Sequence, residues 1–295
     1  MATIPDSLTD MLSICIVNWN TKTYLRECLA SIAAYPPIER EGHEVIVVDN
    51  ASHDGSAAMV SDEFPDVILI SAGENLGYAE ANNVAMRRAV GDILLLLNPD
   101  VRINEYTLGN AIAFTRSHRD AGAVSVLFRN PDGTVQPSLR GFPSPESLLW
   151  EVTGVRRILP NSRRFGSYFM SWFKYDAAIE ADQPMGTFLM IPRAAYETVG
   201  ELDPEFPIFF NEVDWCYRAK QMGWHVYFTP SAAIVHYGGR GTDNAPKASM
   251  IRESHRSLEL FYDKYYSRSV PAATFAAIKA AMRFVCAARV LRARR

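Results

Sequence analysis

The sequence predicts an α/β chain: a Rossmann-like, mostly parallel central sheet flanked by helices. Three observations predict it. Strand-length apolar runs alternate with helical patterns through the first half of the chain. The runs are apolar at nearly every position, as expected of strands covered on both faces. Several end in small polar residues, at the edge where open α/β sheets place their ligands.

Leu12 to Val17 is the first strand. A helix over Thr21 to Ala34 follows, with Leu25, Cys28, Leu29 and Ile32 at helical spacing, and Pro36-Pro37 ends it. Glu44 to Val48 is the second strand, β-branched from Val45 to Val48. Then come a helix from about Asp54 to Glu63, a strand over Val67 to Ile70 and a helix from about Ala79 to Ala89. Ile93 to Leu97 is a fourth strand, which Pro99 stops. A helix over Glu105 to Ser117 and a strand over Ala123 to Leu127 extend this βαβ pattern.

Residues 129–182 break the pattern with Pro131, Pro137, Pro143, Pro145 and Pro160, several arginines and many aromatics. They form a variable insertion to which no element is assigned. Regular structure resumes with a strand over Gly186 to Ile191 and helices over Arg193 to Val199 and Glu212 to Met222. Two strands follow, Trp224 to Phe228 and Ala232 to Val235. The division drawn is a main domain over 1–262 and a basic helical extension over 263–295. From Lys264 onward there are eight basic residues and no acidic one. Phe275, Ile278, Met282 and Val285 share one helical face and Pro271 suits the first turn, so the extension reads as a basic amphipathic helix. Such a helix lies on an anionic membrane surface or packs on the domain.

The chain has 295 residues, 48% hydrophobic and 21% charged, enough for a sizeable core. A net charge of −3 does not suggest a nucleic-acid binder. Cys15, Cys28, Cys216 and Cys286 form no CxxC pair, which argues against a zinc site or disulfide framework and suits a reducing cytosol. Met1 to Asp10 lacks the pattern of a signal peptide, and no apolar run is long enough for a simple membrane span. GxGxxG, GxxxxGK[ST] and GxSxG are all absent, which speaks against dinucleotide, P-loop and α/β-hydrolase sites.

The polar strand ends carry the chemistry. The first strand exits into Asn18-Trp19-Asn20, the second into Asp49-Asn50, and the third leads to Asn75-Leu76-Gly77. Each alone reads as a βα turn; together they converge on one sheet edge. Asp49 can accept a hydrogen bond from a pyrimidine N3–H. Asp100, after Asn98-Pro99, either caps a helix or holds a divalent cation on a nucleotide diphosphate. Glu212 and Asp214 open a helix, where acids favour the helix dipole; one of them can instead take a proton from an attacking hydroxyl. His236 precedes a glycine-rich loop and can complete a metal site with Asp100, and Arg240 can pair with the diphosphate.

Taken together, Ile16-Val17-Asn18-Trp19-Asn20, Val47-Val48-Asp49-Asn50-Ala51-Ser52, Asn75-Leu76-Gly77-Tyr78-Ala79, Leu97-Asn98-Pro99-Asp100, Gly186 to Arg193, Glu212-Val213-Asp214 and His236 to Arg240 resemble the family 2 inverting glycosyltransferases, in particular their rhamnosyltransferase-like branch. The resemblance spans about 12–242. It implies a GT-A fold and a nucleotide-diphosphate-sugar donor held by Asn18, Asn20, Asp49, Asn50, Asn75, Gly77, Asn98, Asp100 and Arg240. Asp49 would meet the base. Asp100 would be the metal-binding aspartate of a DxD-type motif, holding Mg²⁺ or Mn²⁺ with His236. Asn98 stands where many relatives carry the first aspartate. Glu212 would hold the catalytic-base position, with Asp214 in reserve. The implied reaction moves L-rhamnose from dTDP-rhamnose to a saccharide or polyprenyl-diphosphate-linked saccharide, in bacterial surface polysaccharide synthesis. A UDP-sugar donor, or a non-catalytic sugar-nucleotide-binding protein, is the alternative. The expected location is cytoplasmic, peripheral at the inner face of the cell membrane, with no nucleic-acid partner.

Overall fold

A computed structural model describes residues 11–37, 42–239 and 245–293. The readings of Met1 to Asp10, of Arg240 and of the last two arginines lie outside them. The first part of the chain runs β1 (Leu12–Asn18), α1 (Lys22–Ala34), β2 (His43–Asp49), α2 (Ser56–Glu63), β3 (Ile68–Ser71), α3 (Gly77–Arg88) and β4 (Ile93–Leu97). It continues through β5 (Val101–Arg102), α4 (Thr107–Ser117) and β6 (Ala121–Arg129). The insertion holds β7 (Leu139–Arg140), α5 (Pro145–Thr153), α6 (Val155–Ile158) and β8 (Ile179–Glu180). After it come β9 (Gln183–Pro184), β10 (Phe188–Pro192), α7 (Arg193–Val199), α8 (Asn211–Gln221), β11 (His225–His236), α9 (Lys247–Tyr265) and α10 (Ala272–Ala293).

Nine strands form the main sheet in the order β3-β2-β1-β4-β10-β6-β11-β5, with β8 also on β11. β1 pairs in parallel with β2 and β4, β2 with β3, and β6 with β11. β10 lies between β4 and β6, antiparallel to both. The sheet is thus mostly parallel, as the alternating pattern predicts.

The fully apolar strands follow from two covered faces. In β4, Leu95 and Leu97 enter one core cluster, with α1 and α4, while Leu94 and Leu96 enter the other, with α3, α7 and α8. Each fully buried leucine contributes roughly 1.5–3 kcal/mol of transfer free energy. Cys15, Cys28 and Cys216 are buried and Cys286 is half-buried; none is in a disulfide.

The structure adds three features to this pattern. The two strands expected over 224–235 are one strand, β11, whose pairing with β6 shifts register between Thr229 and Ala233, around Pro230. Proline cannot donate to the ladder, so the strand bulges there and then resumes. α9 was not read from the sequence; it spans the 262/263 division without a break. The amphipathic face expected on α10 is not free. Phe275, Ile278 and Met282 pack against Phe206, Val213, Phe261 and Tyr262 of the main domain. Much of the basic charge there is also engaged: Lys279 binds Asp263, and Arg283 binds Glu259. Among the described residues no helix is long and apolar enough to cross a membrane.

Candidate active site

The carboxyl ends of β1, β2 and β4 form the floor of a cleft of about 380 Å³, a size suited to a small-molecule ligand. Behind that floor lies a brace of amides and acids. The Asn18 Nδ2 donates to Asp49 at 2.9 Å and to the Ser52 Oγ at 3.0 Å, and its Oδ1 accepts from Thr21 at 2.6 Å. The Ser52 N–H donates to the other Asp49 oxygen, and Asn20 accepts from the His53 N–H. Asn20 and Ala51 take positive φ, 53° and 60°, in these turns. Left-handed backbone costs a non-glycine residue about 1–2 kcal/mol, and the brace holds it in place. Asn50 then ties the next turn down: it donates to Asn75 and to the Gly77 carbonyl, and accepts from the Leu76 N–H.

Gly77 has a physical reason to be glycine. Its φ is +78°, and a Cβ there would stand 2.9 Å from the Pro207 carbonyl oxygen. That oxygen instead accepts from the Tyr78 N–H at the start of α3. The loop leading to α8 is thereby fastened to the turn that opens α3.

Asn98, at the end of β4, accepts from the Tyr78 hydroxyl at 3.0 Å and donates to the Thr187 Oγ1 at 3.3 Å. An amide does both, which a carboxylate cannot. Burial pushes the Tyr78 hydroxyl pKa up, so it remains a neutral donor. Asp100 follows, with His236 beside it because β5 and the end of β11 pair, Val101 opposite His236. The His236 Nε2 lies 3.5 Å from Asp100 Oδ1, and both side chains are almost wholly buried. Gln136 Oε1 lies 2.7 Å from the His236 Nδ1, while its own amide nitrogen donates to Asn130. Gln136 therefore accepts the Nδ1 proton and leaves the Nε2 lone pair facing Asp100.

Glu212 forms another wall. Phe210, with φ 70°, turns the chain into α8, and the Asn211 side chain donates to the Phe206 and Ile208 carbonyls. Gly186 makes room for the Glu212 side chain, whose Cβ and Cγ would each lie 3.3 Å from an added Cβ. Burial raises the Glu212 carboxyl pKa to about 7, even though the Gly186 and Val213 N–H groups and its own oppose the shift. That is the range a general base needs near neutral pH.

The cleft brings together Asn50, Asn75, Gly77, Asn98, Asp100, Glu212 and His236. Asn18, Asn20 and Asp49 belong to the brace behind them. Asp214 is elsewhere: fully buried, it accepts from Arg218 at 2.8 Å, Lys264 at 2.7 Å and the Tyr265 hydroxyl. It points to the back of α8, and no hydroxyl substrate reaches it. Trp19, Tyr78, Gly186, Thr187, Phe209 and Met250 also line the cleft, beyond the site residues that the sequence marks. Tyr78, Gly186 and Thr187 stand inside motifs that the reading used, so a signal for them existed. Met250 and Gln136 sit in stretches with no pattern to mark them.

The match of residues 13–181 to the model of glycosyl transferase family 2 decides the family. The chain belongs to glycosyl transferase family 2. It is 27% identical over 281 residues to N-acetylglucosaminyl-diphospho-decaprenol L-rhamnosyltransferase of Mycobacterium tuberculosis, covering 86% of this chain and 84% of that one. It is 22% identical to the rhamnosyltransferase WbbL of Escherichia coli, over 77% of this chain and 83% of the relative. Among solved structures, it superposes on the mannosyltransferase PcManGT of Pyrobaculum calidifontis, in complex with GDP-Man and Mn²⁺, with TM-score 0.58 at 19% identity. That match covers 99% of this chain and 76% of the other. It also superposes on S. aureus TarS 1-349 in complex with UDP-GlcNAc, with TM-score 0.58 at 17% identity, over 92% of this chain and 71% of that one. These likenesses show the GT-A fold.

Proposed function

We propose that this family 2 glycosyltransferase is inverting and metal-dependent, and that it moves L-rhamnose from dTDP-rhamnose to a polyprenyl-diphosphate-linked saccharide. The observation that carries the chemistry is that Glu212 opens into the same cleft as Asp100 and His236. The name of the Mycobacterium tuberculosis relative supports the transferred sugar, L-rhamnose, and the polyprenyl-diphosphate-linked acceptor.

Asp100 and His236 suit Mg²⁺ or Mn²⁺. The two atoms lie 3.5 Å apart, long for a hydrogen bond, and an imidazole nitrogen beside a carboxylate oxygen would hold such an ion. Among the described residues no third histidine, cysteine or carboxylate joins them. A bound ion would neutralise charge on the leaving diphosphate. Glu212 takes the proton of the acceptor hydroxyl as that oxygen attacks the anomeric carbon opposite the diphosphate. Asp49 and its brace shape the base-binding turn. The enzyme would work in the cytoplasm, peripheral at the inner membrane face.

Thermal shift with dTDP, UDP or GDP plus Mn²⁺, followed by transfer assays with the matching sugar nucleotides, tests this. The expected result is the largest shift with dTDP, lost in Asp100→Ala. A preference for UDP transfers the reading to a UDP-sugar enzyme, and a preference for GDP overturns the pyrimidine-nucleotide donor.

A further inference from the structure

Excess positive charge and half of the large exposed apolar side chains gather on the same two segments of this chain. Residues 145–174 and 247–293 hold 14 of the 30 basic side chains but only five of the 33 acidic ones. Among the described residues, every exposed leucine, isoleucine and phenylalanine also falls there: Leu149, Ile158, Leu159, Phe284 and Leu291. Ile158 is 78% exposed and Phe284 75%, values that burial elsewhere in the fold does not explain.

Within α10 the exposed residues form a second stripe. Ala277, Ala280, Phe284, Ala287 and Leu291 are all exposed and recur at helical spacing, opposite the face that Phe275, Ile278 and Met282 bury. In the insertion, Ile158 and Leu159 stand at the end of α6, with exposed Arg157, Arg163 and Arg164 close in sequence. The two segments share one underlying cluster: Leu148 of α5 and, from the inner face of α10, Phe275, Ile278 and Met282 pack around Phe261.

We infer that the α5–α6 segment and the outer stripe of α10 form one docking face for an anionic lipid bilayer. Ile158, Leu159, Phe284 and Leu291 enter the headgroup layer, and the surrounding arginines meet the phosphates. Positive charge together with exposed apolar side chains fits a bilayer, which presents negative charge above hydrocarbon. The face also lies on the acceptor side. Glu212 acts electrostatically on Tyr168 of the insertion, and α9 runs from Met250 in the cleft to Phe261 in the shared cluster. This deepens the proposed function and rests on it only for the lipid-linked acceptor.

Flotation of the full chain with vesicles of phosphatidylglycerol and phosphatidylcholine, or of phosphatidylcholine alone, tests the face. The double variants I158S/L159S and F284S/L291S change exposed positions, and their melting temperatures check folding. The expected result is binding to the anionic vesicles, weakened by salt, and about tenfold or more weaker in each double variant. Failure of the parent to float with anionic vesicles overturns the proposal. So does equal binding to neutral vesicles, or unchanged binding by both variants. A concentration-dependent dimer that the same substitutions dissolve assigns the face to a second copy instead. Transfer to a short-chain, water-soluble acceptor separates the two ideas: the variants should match the parent there. Loss of that transfer in the parent, with flotation intact, strikes the proposed reaction and leaves the docking face.

Discussion

The first turn of α8 carries two carboxylates two residues apart, and their surroundings are opposite. Glu212 faces the cleft, against Gly186, and three backbone N–H groups leave burial as the dominant influence on it. Asp214 faces the protein interior and is saturated by Arg218, Lys264 and Tyr265. Arg218 in turn donates to the Val199 and Glu201 carbonyls, and Lys264 also binds Asp203. One carboxylate lines the cleft with a raised pKa; the other bolts α7, α8 and α9 together. A helix turns about 100° per residue, so a step of two residues reaches the far side. Chemistry and architecture can therefore share one turn.

Substitutions break this comparison most directly. Glu212→Gln keeps the shape and removes the base, so kcat should fall about 10³-fold while the thermal shift with dTDP and Mn²⁺ stays unchanged. Normal transfer by that variant would place the base elsewhere. Asp214→Ala should act the other way. Removing one partner of a buried ionic network costs about 3–5 kcal/mol, read as a lower denaturant midpoint, with transfer per folded molecule retained. A stable but inactive Asp214→Ala enzyme would overturn the division of labour.

The pH dependence sharpens the comparison further. Transfer should rise with pH through about 7, as Glu212 loses its proton, and a flat kcat profile from pH 5 to 8 would contradict the assignment. Stability should move in the opposite direction. The folded pKa, about 7, lies above the ordinary 4.5, so the folded form holds the extra proton between those values. This contribution is complete below pH 4.5 and is lost as pH rises through about 7, on the order of 3 kcal/mol. Glu212→Gln should flatten that slope.

The smallest effect is expected at Gln136, which touches His236 without lining the cleft. Gln136→Leu removes the acceptor for the His236 Nδ1 and should weaken Mn²⁺ binding about tenfold, with the fold intact. Isothermal titration with Mn²⁺ and dTDP reads this directly; unchanged affinity would mean that His236 orients itself without help.

The alternating apolar runs made β1 to β4 and their helices legible because strands buried on both faces leave a continuous signature. Polar residues at the strand ends marked the edge of the site for the same reason: the ladder stops there and the backbone turns outward. α9 was not legible, because its buried residues, His255, Ser257, Phe261 and Tyr262, include two polar ones and blur the helical pattern. The bulge in β11 was legible only as a gap, since Pro230 interrupts the run without showing that pairing resumes beyond it.

The sequence by itself determined the sheet, the family motifs and the positions of Asp100, Glu212 and His236. Local patterning specifies these, with periodicity choosing the element and proline or asparagine ending it. Only the tertiary structure decided which carboxylate of α8 meets the cleft, that Gln136 sets the His236 tautomer, and that the apolar face of α10 is spent on the main domain. Each depends on what a distant segment places opposite a side chain, and no local pattern encodes the partner.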